Sequence, residues 1–469
     1  MSLAKCLINS LFGVAVLLFF GLLYPHHLHY QEQFQLFLFD GSYVCEMVKQ
    51  PGGIADLLGR FCTQFFLFAW VGALIIALLL SAVQLLTFRL FTLSSSLFPL
   101  PFFYGLSFVP SFLLWLFLLD ENALLGGVWA VLLTLLIVWC IVKLTSGWTR
   151  RILLIAAIPL LYWAVGPVCF PIPIDGLWSG IHYHRYPAQF PWLLWGATLS
   201  VFVLAFTSRL LPAGRWKFLT SRFSLLTSLL VAVVMGYLVW TNANFKAERV
   251  MQYDFMARHQ QWNRILETIN DEKPNNQIGV TVQNLALAMH GVLLEQLSNY
   301  NQNGIAGLVP DVKEDATSPL PTAEVFYQLG MINVAQRTVF EAQEAILDFQ
   351  KSGRCYKRLA QTNLINGNYE VARKYLAALQ KTLFYSDWAD ETLPLLGDEE
   401  AIARHPEYGR LRQMAYKDDF YFSDHVTPEM LQDLYFSNKD NRLAYQYLLA
   451  YYLLTGDRES FNQFMSTKQ

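Results

Sequence analysis

At 469 residues the chain has room for two or three domains. Its net charge of −2 conceals two unlike halves: residues 1–240 carry seven acidic and twelve basic side chains, and residues 241–469 carry twenty-nine acidic and twenty-two basic. An apolar, basic half joined to an acidic one argues against a nucleic-acid binder, which needs a basic surface to neutralise phosphates.

The chain opens with Lys5 and an apolar run from Leu7 to Tyr24. The run is too long for a typical signal-peptide core. Pro25-His26-His27 follows it where a small-residue cleavage site would stand, so a retained first span is expected. A bilayer core takes about 20 apolar residues per helix. Seven segments qualify, at about 7–24, 64–86, 97–119, 124–142, 152–170, 190–207 and 224–240. The third contains Pro99, Pro101 and Pro110 and is expected to be kinked. No ionisable side chain lies deep in a span, which disfavours a coupled transporter.

Charge alternates from gap to gap, with only Lys49, Arg60 and Arg185 sharing loops with the acids. Glu32, Asp40, Glu46, Asp56, Asp120, Glu121 and Asp175 fall in one set of gaps; Lys5, Arg89, Lys143, Arg150, Arg151, Arg209, Arg215, Lys217 and Arg222 fall in the other. The positive-inside rule then places the N-terminus in the cytoplasm. Seven crossings would leave residues 241–469 outside it.

Loops 25–63 and 171–189 would share the outer face and hold five of the nine histidines. The candidate cluster there is His26, His29, Glu32, Asp40, Asp175, His182, His184 and Arg185. Such groups could hold a divalent metal or do acid–base work. The plainer reading, interfacial polar residues at helix ends, has more support. His26 and His27 are adjacent and would not both face one ion, and no metal or cofactor is expected. Phe34–Phe39 is too short to span and is expected at the interface or as a re-entrant piece. Ile54–Phe65 reads as an amphipathic lead-in to the second span. Cys45 and Cys62 share the first loop, and the sequence leaves open whether they bridge.

Residues 241–469 have helical periodicity. Leu359–Ala372 aligns with Leu448–Phe461, each an apolar helix, a Gly-Asn or Gly-Asp turn and a second helix. Asp254–Leu266 and Gln328–Ala335 are weaker copies. Residues 299–322 and 385–400 read as loops. The pattern resembles tetratricopeptide-type repeats, whose stacked pairs usually bind a peptide or protein. The fold class is therefore all-α: about seven spans in residues 1–240, then an extracytoplasmic helical-repeat domain in 241–469.

Tyr30-Gln31-Glu32-Gln33, Pro51-Gly52-Gly53, Arg60-Phe61-Cys62-Thr63-Gln64-Phe65-Phe66 and the repeat-like tail together resemble a family of multi-span envelope proteins from Bacteroidota, classed as a domain of unknown function. The resemblance covers nearly the whole chain. It implies a bacterial inner-membrane protein with a periplasmic tail, and it implies no activity. A looser likeness is to the C-type glycosyltransferases, which place catalytic acids on the first outer loop, where Glu32 and Asp40 fall. Here a clear acidic pair near the end of the first helix is missing.

Two functional readings follow. The first is a non-enzymatic protein embedded in the lipid bilayer that presents residues 241–469 to a protein partner. It rests on the repeats and on the lack of a recognisable catalytic motif. The second is an enzyme of lipid-linked glycan or envelope-lipid chemistry, with its site on the outer face.

Overall fold

The computed structural model describes residues 3–94, 101–169, 191–210, 221–311, 317–346, 350–416 and 425–466. It is all-helical, with no named strand among the described residues. Two compact units result, Met1–Phe245 and Lys246–Gln469.

In the first unit, α1 (Leu3–Leu18) continues through a π-helical turn, Phe19–Leu23. Short helices α2 (Pro25–Glu32), α3 (Gly41–Val48) and α4 (Gly53–Thr63) lead into the long α5 (Ala69–Ser94). Helix α4 thus occupies most of the expected lead-in. After α6 (Pro101–Leu106) and α7 (Val109–Phe117) come α8 (Leu125–Leu144), α9 (Trp148–Cys169), α10 (Trp192–Leu210) and α11 (Ser221–Asn242). Four segments are long and apolar enough to cross a membrane: Lys5–Leu23, Ala69–Leu93, Leu125–Leu144 and Trp148–Gly166. A fifth is reached only if Leu226–Asn242 is counted with the helix that follows it.

Seven expected spans are therefore reduced to four or five among the described residues. The third is broken between α6 and α7. Pro110 has no N–H to continue the ladder, and the amides of Ser107 and Phe108 turn back to the carbonyls of Tyr104 and Gly105, both at 3.3 Å. The sixth offers only the shorter apolar stretch Trp192–Phe206. Cys45 and Cys62 are both free thiols, so no bridge ties the first loop.

Helices α1, α5, α7 and α8 share one core, in which the Phe12 ring meets Phe108, Phe112 and Trp115 edge-on at 5.3, 5.2 and 6.0 Å. Buried polar groups join α5 to the α6–α7 break. Gln84 donates to the Ser107 hydroxyl at 2.8 Å, and Ser111 donates to the Leu80 carbonyl at 2.8 Å. The α4–α8 crossing depends on two glycines. A Cβ on Gly59 would lie 2.4 Å from the Gly126 nitrogen, so nothing larger fits without parting the helices.

The second unit opens with α12 (Phe245–Arg258), α13 (Trp262–Glu272) and α14 (Gln277–Met289). It continues through α15 (Pro319–Leu329), α16 (Ile332–Glu344), α17 (Gly353–Ile365) and α18 (Tyr369–Leu379). Helices α15 to α18 pack each on the next. The chain then forms α19 (Ser386–Thr392), α20 (Glu399–Arg404), α21 (Tyr408–Met414), α22 (Pro428–Ser437), α23 (Arg442–Thr455) and α24 (Arg458–Ser466). The expected loop at 385–400 is thus largely helical: Pro394 suits the start of a 3-10 turn, and the Asp398 carboxylate caps α20 by accepting from Ala401 N at 2.9 Å.

Five helix–helix turns of this unit have one geometry. At Gly291, Gly330, Gly367 and Gly456 the backbone is left-handed, with φ of 76°, 90°, 79° and 73°; at Gln260 it is 52°. In each, the next residue's amide reaches back to a carbonyl five residues earlier: Gln261 to Met256 (2.9 Å), Val292 to Leu287 (3.0 Å), Met331 to Phe326 (2.9 Å), Asn368 to Asn363 (2.8 Å) and Asp457 to Tyr452 (3.0 Å). This is the Schellman closure, which satisfies orphan carbonyls and starts a new helix at once. Four of the turns fall in the four aligned stretches; the one at Gly291 had no counterpart in the sequence pattern.

Candidate functional site

The histidine-rich stretch after the first apolar helix folds as α2, and its side chains fasten it to neighbouring helix ends. His27 is fully buried, and its Nε2–H donates to the Leu118 carbonyl at 3.0 Å. The carbonyl can only accept, so the neutral ring carries its proton on Nε2. Gln31 donates to the carbonyls of Ala123 (3.1 Å) and Asp120 (3.4 Å). His29 donates from Nδ1 to the Phe66 carbonyl at 3.1 Å. Leu118 and Phe66 lie at the ends of helical segments, where carbonyls have no intrahelical partner. Burial pushes the His27 imidazole down to about 4, against the opposing pull of the Leu118 carbonyl and the Asp120 charge.

The predicted site residues divide accordingly. His26 and His29 share α2, their ring centroids 5.6 Å apart, and Glu32 is buried at its end. Asp40 instead caps α3, accepting from the Ser42 amide at 2.8 Å and the Ser42 hydroxyl at 2.5 Å. Asp175, His182, His184 and Arg185 lie outside the described residues. Among the described residues no three His, Cys, Asp or Glu side chains are grouped to hold a metal ion. Nearby, Arg60 pairs with Asp56 at 2.9 Å. Burial opposes the Arg60 charge, yet Asp56 and Tyr43 outweigh it and hold the guanidinium above its ordinary value.

A second polar assembly lies inside the C-terminal unit. Arg354 of α17 grips Asp254 of α12 with two hydrogen bonds, at 2.6 and 2.9 Å, and both residues are buried. One turn on, Arg358 bonds Glu324 of α15 at 2.5 Å and lies over the Tyr327 ring, 3.7 Å from its centroid. The Tyr327 hydroxyl donates to Glu407 at 3.1 Å. Arg258 donates to the Tyr385 hydroxyl at 3.0 Å. Lys357 sits 4.7 Å over the Trp388 ring and has no carboxylate partner among the described residues. Burial, then the charges of Arg258 and Arg358, push its ammonium down to about 8 against the opposing charges of Glu407 and Glu324. Arg258, Arg354, Lys357 and Arg358 thus gather near Asp254, Glu324 and Glu407, and among the described residues Asp254 and Glu324 are in ion pairs.

A family model matches residues 1–469, the whole chain. The chain belongs to a family of unknown function, DUF6057. No curated protein and no solved structure matches it.

In this DUF6057 member the two assemblies differ in charge, although each holds buried polar atoms without a hydrogen-bond partner among the described residues, as at Gln35 just after α2. On α2, His27, His29 and Gln31 are committed to backbone carbonyls, which is a structural use. In the C-terminal unit, Glu324 Oε2 and Arg358 Nη1 are buried without a hydrogen-bond partner among the described residues, and Lys357 is a cation in no ion pair there. Sequence reasoning did not select Arg258, Arg354, Lys357 or Arg358. One signal was present: Arg354, Lys357 and Arg358 are three cations at three- and four-residue spacing, hence on one face of a predicted helix.

Proposed function

We propose that this chain is a membrane-anchored binding protein whose C-terminal helical-repeat unit takes an acidic segment of a protein partner at the Arg258–Lys357 cluster. The observation that carries this is Lys357, a half-buried cation beside Arg258 and Arg358 that stands over the Trp388 ring in no ion pair among the described residues, its charge only partly offset by Glu407 and Glu324. Such an arrangement opposes folding and is retained where a ligand supplies the missing charge. The five matching turns support a stack of helix pairs of the tetratricopeptide kind, whose surfaces commonly take peptides.

The same reading places the C-terminal unit on the periplasmic side of a bacterial inner membrane, with the N-terminus in the cytoplasm. It requires five crossings, the four long apolar helices and the bent pair that begins at Leu226. Arg209, Arg215, Lys217 and Arg222 precede Leu226–Asn242, a stretch of roughly 25 Å at 1.5 Å per residue. The enzymatic alternative gains no support from α2, whose His27 and His29 imidazoles serve as fasteners.

The test is photo-crosslinking in living cells from a photoreactive residue placed at Trp388, with position 459 on α24 as the control. A discrete adduct is expected from 388 alone, and it should vanish when Arg258→Glu and Lys357→Glu are combined. An adduct indifferent to that reversal, or none from 388, would refute the assignment.

A further inference from the structure

A cleft of about 740 Å³ opens among α8, α9 and α10 of the first unit. Its walls are apolar and aromatic, including Val138, Ile155, Tyr162, Trp195 and Phe202, and no carboxylate lines it. Arg151 lies at one end. Its Nε and Nη2 donate to the Thr145 carbonyl at 3.1 and 3.0 Å, a neutral acceptor, and no carboxylate pairs with it among the described residues. Helix α9 forms one wall, yet only 6% of its apolar window is buried, against 28–56% for the other three long apolar helices. From Trp148 to Tyr162 the wall runs roughly 21 Å. That is somewhat more than one leaflet of a bilayer whose hydrocarbon core is about 30 Å thick.

We infer that this cleft holds one phospholipid of the surrounding bilayer, its acyl chain along α9 and its anionic headgroup at Arg151. The inference rests on the membrane reading above. Charge and shape both point to this occupant. An apolar slot of leaflet length fits an acyl chain. A guanidinium at its mouth in no ion pair among the described residues, with Lys143 and Arg150 exposed on the adjoining helix ends, fits a phosphate. Pro159, also in the wall, has no N–H for the Ile155 carbonyl and loosens α9 beside the slot.

The full chain should first stay in the membrane pellet through an alkaline carbonate wash. Release there would overturn the membrane reading and this inference with it. Native mass spectrometry of the detergent-purified chain should then show one bound phospholipid. Phosphatidylglycerol should be retained over diacylglycerol by about fivefold, the ratio set by roughly 1 kcal/mol for one cation at an anionic lipid. Arg151→Gln should remove that preference and Arg151→Lys should keep it. Ala156→Trp, which fills the slot from α9, should abolish retention. No bound lipid in the parent chain, equal retention of diacylglycerol, retention undiminished in Ala156→Trp, or a two-chain mass showing that a second copy covers the face would each overturn the inference.

Discussion

The two units solve the same problem with different residues. In the first, His27, His29 and Gln31 of α2 donate to carbonyls left over at helical ends. In the second, Gln446 donates to Ala288, Asn441 to Leu329 and Arg412 to Leu364 and Ile365, all at the helix ends before Schellman turns. A cluster of histidines resembles chemistry when read along the chain. In space it does the work that Asn, Gln and Arg do elsewhere. What separates the units is charge. Around α2 neutral imidazoles and an amide donate to carbonyls, whereas the second assembly gathers four cations, of which Lys357 is in no ion pair among the described residues.

The largest expected effect comes from breaking the paired part of that assembly. Arg354→Met would leave Asp254 buried without its bidentate partner and destabilise the C-terminal unit by about 3–5 kcal/mol. Hydrogen exchange of α12 and α17 in the full chain should accelerate accordingly, and Asp254→Asn in the same chain should recover part of the loss. Unchanged protection would show that this pair is not a structural keystone.

His27 provides the matching test in the first unit. Its folded pKa of about 4 lies below the unfolded value near 6.5, so between those values the unfolded chain binds more protons. The neutral ring's contribution is present above pH 6.5 and is lost as pH falls toward 4, on the order of 3 kcal/mol in all. Protection of α2 and the 118–123 turn should fall over that window. His27→Gln, which keeps a donor for Leu118, should flatten the dependence. A profile that His27→Gln does not change would remove the imidazole from the account.

Lys357 should behave in the opposite sense to Arg354. At neutral pH it is charged folded and unfolded, so its depressed folded value marks a destabilising cation; that burden disappears only above about pH 10.5. Lys357→Met should stabilise the unit by about 1–2 kcal/mol at pH 7, after loss of the Trp388 contact, and should also abolish the crosslink from 388. A destabilised Lys357→Met would mark the residue as structural and overturn its assignment to binding.

Much of the helical framework was legible because its signals are local. Apolar runs announced α1, α5, α8 and α9, and Gly367 and Gly456 announced turns that only a residue tolerant of positive φ makes cheaply. The break at Pro110 was visible as a kink, but its consequence, two helices too short to span, depended on how the neighbouring amides turned back. The sites were less legible because they are non-local. His27 and Leu118 are 91 residues apart, and Asp254 and Arg354 are 100 apart. Asp40 looked like a free acid because nothing in its composition distinguishes a helix cap from a catalytic carboxylate.

The smallest expected effect lies at the one of the five turns that lacks a glycine. Gln260 adopts φ of 52° where the four equivalent positions are glycine, and it still makes the same closure, Gln261 N to Met256 O at 2.9 Å. A side chain in the left-handed region costs about 1 kcal/mol or more, which glycine avoids. Glycine also gains freedom when unfolded, which offsets part of that relief. Gln260→Gly should therefore stabilise the α12–α13 hairpin by less than about 1 kcal/mol. Gly367→Ala should destabilise α17–α18 by about 1 kcal/mol, since the Gly367 Cβ position is open and only the backbone conformation resists it. Opposite signs at two turns of one geometry, read by hydrogen exchange of the two hairpins, would establish that the turn sets the repeat. Equal signs would show that packing of the flanking helices sets it instead.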